Sequence, residues 1–335
     1  MPQPLHPRAP VDAAQRAAEA PRGRDANAPR QIPARGLRDV LWRVRHRMRD
    51  DNVPMIAAAV SFYALLGLFP AVLALVSLYG AVTTPEQAQA QVQALARTLP
   101  PEAQAVLMHQ IEGVTRQPLT SLGWSAIAGL VGSLFAASHG TASLVKAVGI
   151  AYEEEDTRGF AKRRGLAVGL TFGAILGLLT TLSAIALLPT ALAALELSAA
   201  TQSSLYFLRW PILALLVSVG LAVLYAVAPD RRRARWQWVT WGSGLATLLW
   251  IATSMGFSFF VRHVTFFTET YGTVAGMIVL MLWLFLSALV VLLGAEVNAE
   301  LEAQTAQDST IGPERPMGQR GARKADSLGC AKPDN

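Results

Sequence analysis

Cysteine occurs once in 335 residues, as Cys330 in a polar tail, so neither a disulfide framework nor a cysteine metal centre can form within the chain. Lysine occurs four times, at Lys146, Lys162, Lys324 and Lys332, and never after a glycine. The Gly-Lys-Ser/Thr signature that cradles nucleotide phosphates is therefore missing. The five histidines, His6, His46, His109, His139 and His263, stand singly, with no HExxH or His-x-His spacing. A metallonuclease needs several ligands converging on one ion, which this spacing does not offer. No GxSxG nucleophile elbow is present. Charge is scarce too: 16% of residues are charged, against about 25% in soluble domains. These absences disfavour metal-dependent, acyl-transfer and self-powered ATP chemistry. No cofactor and no metal is expected.

What the chain has instead is apolar length. Gly272 to Ala295 runs 24 residues without a charge. At ~1.5 Å rise per residue that covers ~36 Å, enough for a hydrocarbon core of ~30 Å. Gly272 and Gly276 leave one face of its first turn bare for close helix packing. Glu296, Asn298, Glu300 and Glu302 then mark an exit into water as a solvated helix end; the sharper reading makes Glu296 a coupling-ion site.

Five further spans precede it, at about 53–80, 121–146, 165–195, 210–228 and 239–261. Pro70 inside the first is expected to kink or break the helix after Phe69, through packing or to line a substrate cavity. The second is the most polar, and its His139 and Lys146 suit either helix packing and snorkelling or a substrate path. In the third, Gly165, Gly169, Gly173 and Gly177 recur every four residues, a stripe for close helix contact within the chain or in a homo-oligomer. Pro211 suits the first turn of the fourth. Residues 81–120 are expected to form a small extracytoplasmic helical pair, starting with Thr84-Pro85.

Outside the membrane, residues 1–35 and 303–335 are expected to be disordered, leaving 36–302 as the membrane domain. Within it, residues 36–51 combine Leu37, Val40, Leu41, Val44 and Met48 with Arg38, Arg43, Arg45, Arg47 and Arg49. Such a basic amphipathic helix either lies on anionic headgroups or packs on the rest of the protein. The first apolar run begins only at Val53, so no signal peptide is expected. Of the 29 Lys and Arg residues, 24 fall in the N-terminal arm, residues 151–165, residues 229–237 and the C-terminal tail. That alternation fits six spans with both termini cytoplasmic. The net charge of +6 thus reflects topology, and no nucleic acid partner is expected.

Several stretches carry a family resemblance. They are Ala57-Ala-Ala-Val-Ser-Phe-Tyr-Ala-Leu-Leu-Gly-Leu-Phe-Pro70, Gly159-Phe-Ala-Lys-Arg-Arg164, Ala228-Pro-Asp-Arg231 and Tyr271-Gly-Thr-Val-Ala-Gly276. The most specific is Trp283-Leu-Phe-Leu-Ser-Ala-Leu-Val-Val-Leu-Leu-Gly-Ala-Glu-Val-Asn-Ala-Glu300. Over roughly residues 38–302 the chain resembles the YihY/BrkB family of bacterial inner-membrane proteins. The resemblance implies an all-α bundle of six transmembrane helices in the inner membrane. It brings two functional labels, a virulence or serum-resistance factor with a transporter-like role, and a tRNA-processing ribonuclease. The residues disfavour the second. The sequence thus predicts a non-enzymatic permease or exporter of a lipid or small solute. The runner-up is a non-transporting scaffold or envelope-integrity factor. The substrate-path candidates are Pro70, His139, Lys146, Tyr271 and Glu296, and the expected partners are membrane lipids.

Overall fold

The computed structural model describes residues 22–80, 124–194, 199–263 and 275–333. Among these the protein is all-helical, save one isolated bridge between Ala234 and Thr310. In chain order the helices are α1 (Ala34–Asp50), α2 (Val53–Gly80), α3 (Trp124–Ala151), α4 (Phe160–Ala194), α5 (Ala199–Val227), α6 (Trp236–His263), α7 (Ala275–Glu302) and a short α8 (Arg323–Asp326). The helices α3 to α7 each contain a segment long and apolar enough to cross a membrane. A sixth is reached when α1 and α2, which meet at a 63° bend, are taken together as one span. Asn52 makes that bend with φ near +50°, a conformation its short polar side chain tolerates.

The six long helices form a closed ring. Each of α2 to α7 packs on the next in sequence, and α7 returns to α2. α7 also touches α1 and α3, so it sits at the hub. The ring closes through two kinds of contact. One is glycine at the crossings: a Cβ on Gly67 would come within 2.9 Å of the Ala137 carbonyl, and one on Gly140 within 3.0 Å of the Ala64 Cα. Between α6 and α7, a Cβ on Gly242 would collide with the Gly294 carbonyl and with Asn298. The other is polar clamping. Asn298 accepts from the Gly242 N–H at 2.7 Å and donates to the Val239 carbonyl at 3.0 Å. Tyr225 Oη donates to the Val291 carbonyl at 2.7 Å. In a bilayer such hydrogen bonds and close backbone contacts take over the role that hydrophobic burial plays in water.

The buried apolar cluster lies toward one end of the ring, around Val40, Val148, Tyr152, Tyr225, Trp238, Leu292 and Ala295. Elsewhere the outer faces display large apolar side chains, among them Leu215, Leu248 and Met255, each more than 60% exposed. That is the pattern of helices meant to face lipid.

Several expectations need correction. Helix α2 runs continuously from Val53 to Gly80 with Pro70 inside it, so the proline does not break the helix. Pro211 likewise lies within α5, which starts eleven residues or more before the expected span, at Ala199. Neighbouring helices can absorb the lost hydrogen bond in a bundle. Within the chain, the glycine stripe of α4 makes no close contact among the described residues: a Cβ on Gly165, Gly169, Gly173 or Gly177 would meet nothing within 4 Å. Of the second pair, Gly276 is buried, as a packing residue should be, and Gly272 lies outside the described residues.

The largest correction concerns the ends. Residues 303–333, expected to be disordered, are folded against the bundle, and so are residues 22–33. Arg320 donates to the carbonyls of Ala306, Gln307, Arg315 and Ala325, gathering the tail around one guanidinium. Thr305 Oγ1 donates to the carbonyls of Arg24 and Ala26, and Arg24 reaches the Gly329 carbonyl. Both described ends therefore meet at the same end of the ring. The arm at 1–21 and the helical pair at 81–120 lie outside the described residues.

Gly242→Ala should destabilise the protein by about 1–3 kcal/mol, because a backbone carbonyl must shift to admit the methyl. Gly173→Ala, facing open space, should be neutral or stabilising by up to about 1 kcal/mol through helix propensity. Melting temperatures in neutral detergent check both.

Candidate functional site

The last turns of α7 carry four polar side chains, and the structure buries all of them. Glu296, Asn298, Glu300 and Glu302 are at most 2% exposed. The solvated helix end expected here is overturned. Burying three carboxylates demands compensating charge, since an unpaired buried charge costs several kcal/mol.

Three elements supply that charge. From α1, Arg43 Nε meets Glu300 Oε2, while its Nη2 donates to the Glu300 carbonyl at 2.9 Å and to Gln304 Oε1 at 2.8 Å. From the tail, Lys324 Nζ lies 2.7 Å from Glu300 Oε1 and 2.9 Å from Glu153 Oε1. From the α5–α6 connection, Arg231 Nη1 lies 2.9 and 2.8 Å from the two oxygens of Glu302, which also accepts from Ser309 Oγ at 2.6 Å. Arg231 stacks over the Tyr152 ring at 4.3 Å. Burial disfavours the charged forms of Arg231 and Lys324, yet Glu302 beside the one and Glu300 and Glu153 beside the other raise both above their ordinary values.

Glu296 differs from the rest. It is fully buried, and neither carboxylate oxygen has a hydrogen-bond partner among the described residues. Its electrostatic surroundings are Lys324, Asp51, Glu300 and Arg47. Asp51, at the α1–α2 bend, leaves its Oδ2 buried and unbonded as well. Burial pushes the Asp51 carboxyl above the usual range, despite the pull of Arg47 and Lys324. Two neighbouring acids thus stand incompletely satisfied beside a paired network.

A second polar knot joins the α3–α4 and α5–α6 connections. Arg158 Nε pairs with Asp230 Oδ1 at 3.0 Å, and its other nitrogens bond the carbonyls of Val227, Ala228 and Pro229. Those carbonyls end α5 and would otherwise lack donors. Two hydrogen bonds from Thr157, with Arg158 alongside, hold the Asp230 carboxyl below its usual range.

Of the sequence candidates, only Glu296 enters the ion cluster. His139 is exposed on α3, bonded to the Ala136 carbonyl at 3.0 Å and capped by Arg164, whose Nη2 lies 3.1 Å from its Nδ1. Lys146 is exposed and makes no ion pair among the described residues. Pro70 is half-buried in α2, and Tyr271 lies outside the described residues. No hydrogen bond or ion pair links His139, Lys146 or Pro70 to Glu296. The residues that do build the site, Arg43, Arg47, Glu153, Arg231 and Lys324, were visible only as loop and surface charges. One signal was available: Arg43 and Arg47 share a helical face with the apolar Val40 and Val44, where a lipid-facing basic helix would not put them.

A ring of membrane-length helices closed at one end by a buried ion cluster defines a multi-pass α-helical membrane protein. Comparison with known proteins sharpens this. Residues 44–318 match the family model described as virulence factor BrkB, and the chain belongs to that family. It is 28% identical over 256 residues to the Bacillus subtilis protein named ribonuclease-like YfkH, covering 73% of this chain and 88% of that one. A UPF0761 membrane protein of Tolumonas auensis is 43% identical over 82 residues, 24% of this chain and 27% of that one. One from Rhodospirillum centenum is 24% identical over 290 residues, 85% of this chain and 63% of that one. No solved structure matches the chain. The matched region includes Arg43's neighbour Val44, all of the long helices and the first part of the tail.

Arg43→Met leaves Glu300 with Lys324 at 2.7 Å and Arg47 at 3.8 Å, and should cost up to about 3 kcal/mol, the low end of the penalty for breaking a buried pair. Thermal unfolding in detergent reads it. Asp51 should show the opposite sign. Because its folded pKa is raised from 3.8, its charge opposes folding increasingly as pH rises through that value. Asp51→Asn should therefore melt above the wild type at pH 8, and the two should converge below about pH 4.

Proposed function

We propose that this chain is a bacterial inner-membrane permease or exporter of a lipid or small solute, with both termini cytoplasmic and no ATPase of its own. The observation that carries the reading is Glu296: a carboxyl group buried at the boundary between the apolar bundle and the ion cluster, without a hydrogen bond, in surroundings where every other acid on α7 is paired. Intramembrane and boundary acids kept at such cost are typically the groups that carriers use to bind an ion or substrate. The basic ends gathered at the closed face support the cytoplasmic side for both termini.

A non-transporting scaffold that supports envelope integrity is the second reading. The density of ion pairs across the closed end favours it, because that network holds α1, the C-terminal tail, two connections and α7 in one arrangement. We propose no enzymatic step. The ribonuclease-like name belongs to the Bacillus relative, and the sequence has no HExxH or His-x-His spacing. RNA cleavage by pure protein, lost on replacing His139, would overturn that.

Flux in proteoliposomes separates transport from scaffolding. Glu296→Gln should lower wild-type flux at least ten-fold while leaving the melting temperature unchanged or higher. If the wild type moves nothing across a broad panel of lipids and small solutes, the permease reading falls and the scaffold stands.

A further inference from the structure

A cavity of about 870 Å³ opens at the rim of the closed end, where the start of α4 faces the end of α5. It lies apart from Glu296 and is not used by the transport reading. Part of its lining is apolar, from Phe160, Leu166, Ala226 and Val227. Phe160 is 79% exposed, an orientation that suits contact with acyl chains and not with water. The lining also carries Arg158, Lys162, Arg231 and Arg233, with Asp230 as its acid.

The charges do not cancel. Asp230 is already taken by Arg158 and Thr157, and Arg231 is taken by Glu302. That leaves Lys162 and Arg233, from different elements, both exposed and neither with an acidic partner among the described residues. A concave site with two free cations and apolar side chains beside them has one natural ligand chemistry. We infer that this cavity binds a phosphate group, one carried on an acyl-chain amphiphile.

The shape accounts for the selectivity. A zwitterionic headgroup brings its own cation and gains little from Lys162 and Arg233. An anionic phosphodiester gives both cations an oxygen to bind, while its chains run along Phe160 and Leu166. A resident lipid of this kind suits a permease and a scaffold alike, so the inference stands or falls separately from the function proposed above.

Native mass spectrometry of the full chain in neutral detergent tests it, with phosphatidylglycerol, phosphatidylcholine or inorganic phosphate added. The wild type should retain one phosphatidylglycerol per chain, with roughly ten-fold or greater preference over phosphatidylcholine, given the ~1 kcal/mol each basic side chain contributes near anionic headgroups. Replacing Lys162 and Arg233 together with alanine should remove that preference, and Lys162→Arg should keep it. The pair Arg38→Ala and Arg45→Ala, exposed on α1, should leave it intact. If millimolar phosphate displaces the lipid, the oxyanion supplies most of the binding and a soluble phosphate ester is the source; if it does not, the lipid is. Equal retention of both lipids overturns the inference, as does an α1 pair that matters as much as the cavity pair. Should the double variant fail to fold, the single variants Lys162→Gln and Arg233→Gln carry the same test, each expected to lose part of the preference.

Discussion

The need to neutralise the polar end of α7 governs the rest of the architecture. A helix that crosses lipid and then buries three acids and an asparagine cannot stop there, because an ionised carboxylate removed from water is costly unless another charge offsets its lost hydration, as happens for two of the three. Glu300 recovers it from Arg43 and Lys324, residues 257 and 24 positions away. Glu302 recovers it from Arg231, 71 positions away. Meeting these demands draws α1, the α5–α6 connection and the C-terminal tail onto one helix end. The tail then has little freedom left: Arg320 and Asp326 finish folding it by satisfying backbone carbonyls and amides within 303–333.

The spans themselves were plain from the sequence, since a charge-free run of twenty or more residues has few other physical meanings. The glycines at the crossings of α2 with α3 and α6 with α7 were less plain. Gly67, Gly140, Gly242 and Gly294 follow no regular spacing, yet each lies where another backbone passes. The regular stripe of α4, by contrast, faces open space. Periodicity records which residues share a face and says nothing about what that face meets.

The ion cluster was the least legible part, and the reason is physical. A string such as Glu296-Val-Asn-Ala-Glu-Leu-Glu302 has the composition of a helix end in water. Its burial depends on partners distributed over the whole chain, and pairing across such separations leaves no local pattern. The tail misled for the same reason: its composition is polar, but its arginines and aspartates are spent on backbone groups and on one another, which makes it a folded cap.

The positive-inside count adds a final point. Lys and Arg outside the membrane are usually treated as equivalent topological markers. Here they divide by position. Arg43, Arg231 and Lys324 point inward and are consumed by buried acids, while Arg38, Arg45, Lys162 and Arg233 remain exposed on the rim. The first group cannot answer to lipid without abandoning a carboxylate, and the second is free to do so. A single compositional bias therefore has two separate outcomes, cations that hold the closed face together and cations left free on its rim. Which arginine does which is decided by whether an acid of α7 lies within reach.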